Sequence, residues 1–306
     1  MRERRADIPI ICLTDSCNQR CVFCSRPGAK LRYSPARIRR VLAAFKDTVC
    51  FEGGEPTLAP DAFKWIRAAA RAGVRDRVLV TNGSGLEDPA VVRRYLEAGV
   101  TMFNVNLPAH TEALFDRLTR TRANFRRRVA AVKNLIALAG PRAVRVTLVL
   151  NTVILPRLAA YAGFAVREFP GLFYLEMNFP KLMGGCAERP ELVPTLTAAE
   201  PRLREAFALL EKAGMNFLAD SVPLCFMKGY ERHSIDAHMM ARGEDRHYFG
   251  EKARTPRCAG CTLAPVCSGP RIDYAARFGD SELRPRRRPA GALLAGLKAG
   301  FRRPRR

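Results

Sequence analysis

Short apolar runs alternate with amphipathic segments along the first 215 residues of the chain. The runs have the spacing of strands and the amphipathic segments have the spacing of helices. The predicted strands are residues 7–14, 48–52, 76–82, 101–107, 143–151 and 172–179, and the helices are 34–45, 61–73, 88–99, 125–140, 157–169 and 197–214. Alternation of this kind predicts a parallel sheet with right-handed crossovers. We therefore expect an α/β fold, and six strand–helix units suit a partial (β/α)6 barrel as well as an open sheet.

Capping residues mark the ends of several predicted helices. Ser34 and Asp88 are expected as N-caps, and Gly99 as a stop. Thr197 and Glu200 have the spacing of a capping box, so the last of these helices is expected to begin at Thr197.

The remaining chain divides into two further parts. Residues 216–283 have little periodicity and four cysteines, which predicts a small cap ordered by metal ligation. Residues 284–306 are rich in arginine and are expected to form a disordered basic tail, with a short helix at "GALLAGLKAGF", residues 291–301, as the alternative for that part. The expected domains are therefore 1–215, 216–283 and the tail 284–306.

Composition favours a cytoplasmic protein with metal sites. No apolar run approaches the ~20 residues of a membrane helix, and the apolar stretch at the N-terminus is too short for a signal peptide. Ten cysteines in such a chain indicate metal ligation more than disulfides. The formal charge of +23 favours an acidic partner such as nucleic acid or an anionic peptide, or reflects only the arginine-rich composition and the basic tail.

Cys17, Cys21 and Cys24, which we call the triad, follow the first predicted strand. Three is an odd number for disulfides, and a closed zinc site needs four ligands. A [4Fe–4S] cluster held by three thiolates leaves one iron open to another molecule. A zinc knuckle that lacks its fourth ligand is the alternative.

The spacing Cys-x-x-x-Cys-x-x-Cys, with Phe23 before the last cysteine, resembles the signature of the radical SAM superfamily. The resemblance implies a barrel of the radical SAM type whose triad holds a [4Fe–4S] cluster, with S-adenosylmethionine on the fourth iron. It is strengthened by "GGEPT" after the second strand, where relatives bind the methionine part of the cofactor. The cofactor-binding residues implied there are Gly53, Gly54, Glu55 and Pro56.

Polar residues end three further strands. In relatives, residues that correspond to Asn106 and Asn151 often contact the cofactor, although ordinary turn capping is the alternative for both. "TNG" at residues 81–83 ends the third strand. Since ligands lie at the carboxyl ends of parallel strands, we expect these residues and the triad on one rim.

A second cysteine group comprises Cys225, Cys258, Cys261 and Cys267. Its spacing resembles the core of SPASM and twitch domains, which carry auxiliary clusters. A full SPASM core would have a cysteine at the position of Arg271, so the resemblance is to the shorter, twitch-like form. It implies a second, auxiliary [4Fe–4S] cluster for electron transfer, with zinc as the alternative.

Two single residues are candidates for catalysis. Cys186 follows the sixth strand and could donate a hydrogen atom to a substrate radical, or it is simply a buried cysteine. Tyr274 could act in catalysis or pack the cap against the barrel.

The resemblance implies an oxidoreductase or maturase that cleaves S-adenosylmethionine to a 5′-deoxyadenosyl radical, which abstracts a hydrogen atom from a peptide or small molecule. Its electron donor would be a flavodoxin or ferredoxin. About 16 residues precede Cys17, so a peptide substrate would need a separate recognition protein. The alternatives are an RNA-modifying radical SAM enzyme and a non-catalytic iron–sulfur regulator that binds nucleic acid. "GGEPT" argues against the regulator, because an electron carrier needs no cofactor-binding turn.

Overall fold

The sheet of this computed structural model, which describes residues 9–243 and 250–298, has seven parallel strands. The strands are β1 (Ile10–Thr14), β2 (Thr48–Gly53), β3 (Asp76–Thr81), β4 (Met102–Asn106), β5 (Val144–Val149), β6 (Tyr174–Asn178) and β7 (Phe217–Asp220). Their order in the sheet is their order in the chain, with β1 and β7 at the edges. The predicted α/β fold with a parallel sheet is confirmed. Residues 7 and 8, where the first strand was expected to begin, lie outside the described residues.

Eleven α-helices are found among the described residues. They are α1 (Pro35–Ala44), α2 (Ala62–Arg71), α3 (Pro89–Ala98), α4 (Glu112–Thr119), α5 (Phe125–Ala139), α6 (Leu158–Glu168), α7 (Gly185–Glu188), α8 (Leu196–Lys212), α9 (Ile235–Ala241), α10 (Ile272–Phe278) and α11 (Gly291–Lys298). Because the crossovers of sequential parallel strands share one hand, the crossover helices cover a single face of the sheet. No helix within the described ranges is both long and apolar enough to cross a membrane.

The two faces of the sheet differ in polarity. On the helix side, Phe51, Leu79 and Phe103 lie in register on adjacent strands, and each is 0% exposed. The alternate side chains point to the other face, which we call the open face. Its polar residues include Asn104, Asn106, Arg145, Thr147, Glu176, Asn178 and Asp220. A polar open face behind a mainly apolar helix face suits a ligand site more than a second packing surface.

The helix starts confirm two predicted caps and correct a third. Ser34 and Asp88 are N-caps whose side chains accept backbone N–H groups, and Gly99 ends α3 with φ of 105°. The capping box predicted at Thr197 is wrong. The N-cap of α8 is Thr195, whose hydroxyl accepts from the N–H of Ala198. The N–H of Thr197, which would donate to Glu200 in the predicted capping box, instead donates to the side chain of Glu282.

The sheet extends beyond the boundary expected at residue 215. β7 (Phe217–Asp220) pairs with β6 along its length, and its inward residues Phe217 and Ala219 are each 1% exposed. The short length of this strand, four residues, explains why its periodicity was not recognised. The cysteine-rich segment therefore begins after a seventh strand.

The expectation of a disordered tail does not hold for residues 284–298. Arg284 pairs with Glu200 at 2.6 Å, and the backbone N–H of Thr262 donates to the carbonyl of Arg286. Helix α11 packs against α9 with Leu297 only 1% exposed. The apolar positions of α11 and acceptors on three other segments hold this part of the chain in place. Residues 299–306 of the predicted tail lie outside the described residues.

Candidate metal and cofactor site

The triad lies in the loop that leaves the carboxyl end of β1. Cys17 is exposed, and Cys21 and Cys24 are partly buried. The backbone N–H of Cys24 donates to the carbonyl of Cys21 at 3.1 Å, which forms a tight turn between them. Burial, together with the smaller effects of the neighbouring Cys17 and Cys24, raises the pKa of Cys21 to about 12. Three thiols that oppose one another's ionisation suit a cationic metal group, which supplies the positive charge that the thiolates need.

The described residues include no three histidine, cysteine or acidic side chains arranged to hold one metal ion. The donor set of the triad is nevertheless that of iron–sulfur ligation, which uses several cysteine thiolates on separate irons.

The glycine pair of "GGEPT", Gly53 and Gly54, lies directly against the backbone of the triad loop. A Cβ on Gly53 would stand 2.3 Å from the carbonyl oxygen of Thr14, and one on Gly54 would stand 2.2 Å from that of Ser16. The N–H of Gly54 donates to Thr14 at 2.7 Å, and the N–H of Glu55 donates to Ser16 at 2.8 Å. Only glycine fits here, so this turn fixes the start of the triad loop.

Glu55 is a buried carboxylate that joins β2 to β3. Its Oε1 accepts from the N–H and hydroxyl of Thr57 at 3.0 and 2.8 Å and from the hydroxyl of Thr81 at 2.5 Å. Its Oε2 accepts from the N–H of Asn82 at 2.6 Å. Burial raises the pKa of Glu55, and these donors act in the opposite direction. With both oxygens occupied, Glu55 holds two loops of the rim together.

Three side chains form a closed hydrogen-bonded ring beside Cys17. Asn18 Nδ2 donates to Ser84 Oγ at 2.7 Å, Ser84 Oγ donates to Asn82 Oδ1 at 2.6 Å, and Asn82 Nδ2 donates to Asn18 Oδ1 at 2.9 Å. Asn82 Nδ2 also lies 3.8 Å from Cys17 Sγ. We call Asn18, Asn82 and Ser84 the amide ring. Sequence reasoning found only "TNG", because nothing in the chain links Asn18 to a serine 66 residues later.

The two asparagines proposed as cofactor contacts differ in their surroundings. Asn151 is 0% exposed, and its Oδ1 accepts from the N–H groups of Val153 and Ile154 at 3.1 Å. Its side chain therefore caps the turn after β5. Asn106, at the end of β4, makes one long bond to the carbonyl of Thr147 at 3.4 Å and keeps its carbonyl oxygen free of recorded donors among the described residues.

A second glycine pair packs on the triad loop from the other side. The N–H of Gly185 donates to the carbonyl of Cys24 at 2.8 Å, and Cβ atoms on Gly184 or Gly185 would overlap the backbone of Cys24 or Val22. Cys186 follows with 0% exposure, and burial raises its pKa to about 11. The structure thus places Cys186 beneath the triad loop, with its side chain shielded from solvent.

The four cysteines of the second group lie within electrostatic reach of one another. Burial, together with the smaller effects of Cys267 and Cys258, raises the pKa of Cys225 to about 11. The backbone N–H of Arg284 donates to its sulfur and acts in the opposite direction. Burial also raises the pKa of Cys267, against donation from the N–H groups of two residues, while Cys258 and Cys261 raise it further. Backbone donors aimed at sulfur stabilise thiolates, so the segment suits four anionic ligands.

Arg271 is paired within the cysteine-rich segment, and Tyr274 connects this segment to the start of helix α8. Arg271 is 3% exposed and pairs with Glu251 at 2.9 Å and Asp273 at 2.8 Å. The hydroxyl of Tyr274 donates to Glu282 at 2.5 Å and accepts from the N–H of Leu196 at 2.8 Å. Both side chains are engaged in packing and ion pairing.

Together, a sequential parallel sheet with helices on one face and a cysteine loop at the carboxyl end of its first strand define a partial barrel with a metal-binding rim. Residues 11–158 match the family model described as the Radical SAM superfamily. This part of the chain, just under half of its length, is therefore similar to a radical SAM domain, in agreement with the resemblance seen in the sequence. Radical SAM proteins bind a [4Fe–4S] cluster and S-adenosylmethionine, which are the cofactors predicted from the triad and "GGEPT".

The most similar curated proteins include two GTP 3′,8-cyclases. That of Synechococcus elongatus is 33% identical over 184 residues, which are 56% of this chain and 53% of the relative. That of Mycobacterium marinum is 36% identical over 160 residues, which are 48% of this chain and 42% of the relative. The chain spans about half the length of these curated relatives.

Solved structures share the fold at low identity. The structure described as native anSMEcpe with bound AdoMet and Cp18Cys peptide has a TM-score of 0.64 at 10% identity and covers 96% of this chain and 99% of that chain. A second anSMEcpe structure, with bound AdoMet and Kp18Cys peptide, has a TM-score of 0.56 at 12% identity and covers 78% of this chain and 65% of that chain. These likenesses establish the fold.

Proposed function

We propose that the protein is a radical SAM enzyme whose triad holds a [4Fe–4S] cluster and whose substrate lies over the open face of the sheet. When bound, the cluster and S-adenosylmethionine supply one-electron cleavage to methionine and a 5′-deoxyadenosyl radical, which removes a hydrogen atom from the substrate. The observation that carries the proposal is the contact of the triad loop with "GGEPT", 2.7 Å from the N–H of Gly54 to Thr14.

The chain's own residues have distinct tasks in this proposal. The thiolates of the triad bind three irons, and the glycine pair at residues 53–54 and Glu55 hold the loop at the rim. Asn106 has a carboxamide available for the cofactor, whereas Asn151 supports the site by capping a turn. The residues of the open face then orient the substrate.

The open face offers both charge signs and several amides to a substrate. Glu176 lies opposite Thr147 in register, and Asn178 lies opposite Asp220. Burial raises the pKa of Glu176, Asp220 raises it further, and Arg145 acts against both. Such a surface suits a polar peptide or small molecule. GTP is the first substrate to test, since the curated relatives that match about half of this chain are GTP 3′,8-cyclases.

The cysteine-rich segment after β7 is proposed to hold an auxiliary [4Fe–4S] cluster for electron transfer, in the manner of a twitch domain. Support comes from four cysteines whose charges interact and from the backbone donors to Cys225 and Cys267. Metal analysis of the purified protein tests this. Iron lost on replacing Cys258 and Cys261 supports the cluster, whereas zinc bound by these cysteines contradicts it.

The enzymatic proposal is tested with the anaerobically reconstituted protein, S-adenosylmethionine and a strong reductant. We expect slow formation of 5′-deoxyadenosine without substrate, measured by chromatography, and faster formation with the true substrate. GTP is added in one arm and a reduced flavodoxin or ferredoxin replaces the chemical reductant in another. If a protein with its full iron content forms no 5′-deoxyadenosine, the proposal is wrong and a non-catalytic role is favoured.

A further inference from the structure

A buried guanidinium lies behind the triad, in a position that the proposed function does not use. Arg128 of α5 has a side chain only 2% exposed, and its NH2 group donates to Ser84 Oγ of the amide ring at 2.7 Å. Its NH1 group is 3.9 Å from Glu87 Oε2. Its Nε is buried and donates to no acceptor among the described residues. Burying a charge with so few partners is costly unless another anion compensates for it.

Two carboxylates favour the charge of Arg128, and only Glu87 Oε2, which is buried without a hydrogen-bond partner among the described residues, forms an ion pair with it, at 3.9 Å. Glu87 Oε1 accepts from the exposed Arg127, and both oxygens of Glu55 are bonded to the rim loops. Burial lowers the pKa of Arg128, whereas Glu55, Glu87 and Cys17 act in the opposite direction. Among the described residues, the guanidinium thus has one long ion pair and one hydrogen bond to a hydroxyl, which leave its charge incompletely compensated.

The hydrogen-bond path from Arg128 to the triad is short. Arg128 binds Ser84, Ser84 binds Asn82, and Asn82 Nδ2 lies 3.8 Å from Cys17 Sγ. Ser84 and Asn82, which lie between Arg128 and Cys17, are 7% and 9% exposed. The field of the guanidinium is therefore screened less along this path than it would be through bulk water.

We propose that Arg128 is the buried counter-cation of the cluster on the triad and raises its reduction potential. The inference rests on the proposed function, since it requires an iron–sulfur cluster on these three cysteines. Reduction adds one electron from the external donor and increases the negative charge of the cluster. A fixed positive charge stabilises the reduced form more than the oxidised form, which makes reduction easier. Ser84 keeps the guanidinium in place through the amide ring.

The chain supplies a matched set of variants for the test. R128Q removes the buried charge, and R128K keeps it while losing the planar bonding of the guanidinium. R127Q removes a neighbouring charge from the same helix that also contacts Glu87, but whose side chain is 60% exposed. E87Q removes the carboxylate that partly neutralises Arg128. Each full-length variant is reconstituted anaerobically, and the midpoint potential of the triad cluster is measured by a redox titration monitored by electron paramagnetic resonance.

We expect R128Q to shift the midpoint potential to more negative values and E87Q to shift it to more positive values. R128K and R127Q should remain close to wild type, the second because solvent and salt screen an exposed charge. An R128Q protein that holds its cluster at the wild-type potential overturns the inference. Equal shifts in R128Q and R128K also overturn it, since they assign the effect to hydrogen bonding. Weakened binding of S-adenosylmethionine with an unchanged potential overturns it as well.

Two further outcomes separate this inference from the function beneath it. If R128Q fails to take up iron, E87Q decides, and an unchanged potential in E87Q overturns the inference. If the wild-type protein takes up no iron on the triad, the proposed function fails together with the inference.

Discussion

Replacing Gly54 by alanine should displace the triad loop without unfolding the protein. The new Cβ would stand 2.2 Å from the carbonyl oxygen of Ser16 and 2.8 Å from that of Asp15, whereas ordinary contacts begin at 3.4 Å. The loop must therefore move by about 1 Å. A shift of this size disrupts the bonds from Gly54 to Thr14 and from Glu55 to Ser16, which are 2.7 and 2.8 Å long.

The cost follows from these contacts. Overpacking contributes about 1–3 kcal/mol and each weakened hydrogen bond about 1 kcal/mol, so G54A should lose about 3–5 kcal/mol of unfolding free energy. Domains of ordinary stability survive such a loss. Cluster assembly is more sensitive, because metal–ligand distances tolerate only about 0.2 Å. Cys17 directly follows Ser16. Iron uptake at the triad should therefore be affected more strongly than the stability of the fold.

The assay combines thermal melting with iron content after anaerobic reconstitution, and a second glycine provides the control. In G163A, the added Cβ meets only Leu209 at 3.9 Å, within helix α6. Its iron content should equal that of wild type, and its stability should rise by up to about 1 kcal/mol, since alanine favours helix. If G54A keeps the iron content of wild type and has the same melting temperature as G163A, the contact between the "GGEPT" turn and the triad loop is not needed for the site.

Three further changes test other parts of the structure. Replacing all three cysteines of the triad by alanine should remove about half of the bound iron, and an unchanged colorimetric iron count contradicts this. Burial acts to raise the pKa of Glu251, but bonds and charges from Lys181 and Arg271 outweigh it and lower that pKa from 4.5 to about 2. This carboxylate thus stabilises the fold above pH 4.5 and less as the pH falls toward 2, so E251Q should flatten the acid side of the stability curve in circular-dichroism melts. Truncation after residue 283 should lower auxiliary iron and the melting temperature, because it removes the donor to Cys225, whereas truncation after residue 298 removes none of the described contacts and serves as its control.

Local signals explain which parts of the fold were predictable. The first six strands, the six predicted helices and the caps at Ser34 and Asp88 depend on neighbouring residues that are visible in the sequence, whereas the short elements α4 and β7 were not recognised. The start of α8 was not, because Glu282 takes the N–H of Thr197 from a position 85 residues away. The prediction of a disordered tail was wrong for residues 284–298 for the same reason, since their arginines find partners such as Glu200 only in the folded chain.

The candidate site shows the same division. The triad and "GGEPT" carry their chemistry in adjacent residues, so their spacing alone brought them to notice. Arg128 is one of three consecutive arginines, and nothing in the sequence separates it from its exposed neighbour Arg127. Only the position of Arg128 against Ser84, in the loop after β3, distinguishes this buried charge from a surface charge.

The start of α8 also determines where the chain can be cut into fragments and which segments can be exchanged between related enzymes. The N–H groups of Leu196 and Thr197 are capped by Tyr274 and Glu282, both from the cysteine-rich segment. Each such cap stabilises a helix by about 1 kcal/mol, so a fragment that ends after β7 would have a frayed helix against β6 and β7. The sheet and the cysteine-rich segment therefore depend on each other for their stability. Exchanging that segment between related enzymes would require the start of α8 to be exchanged with it.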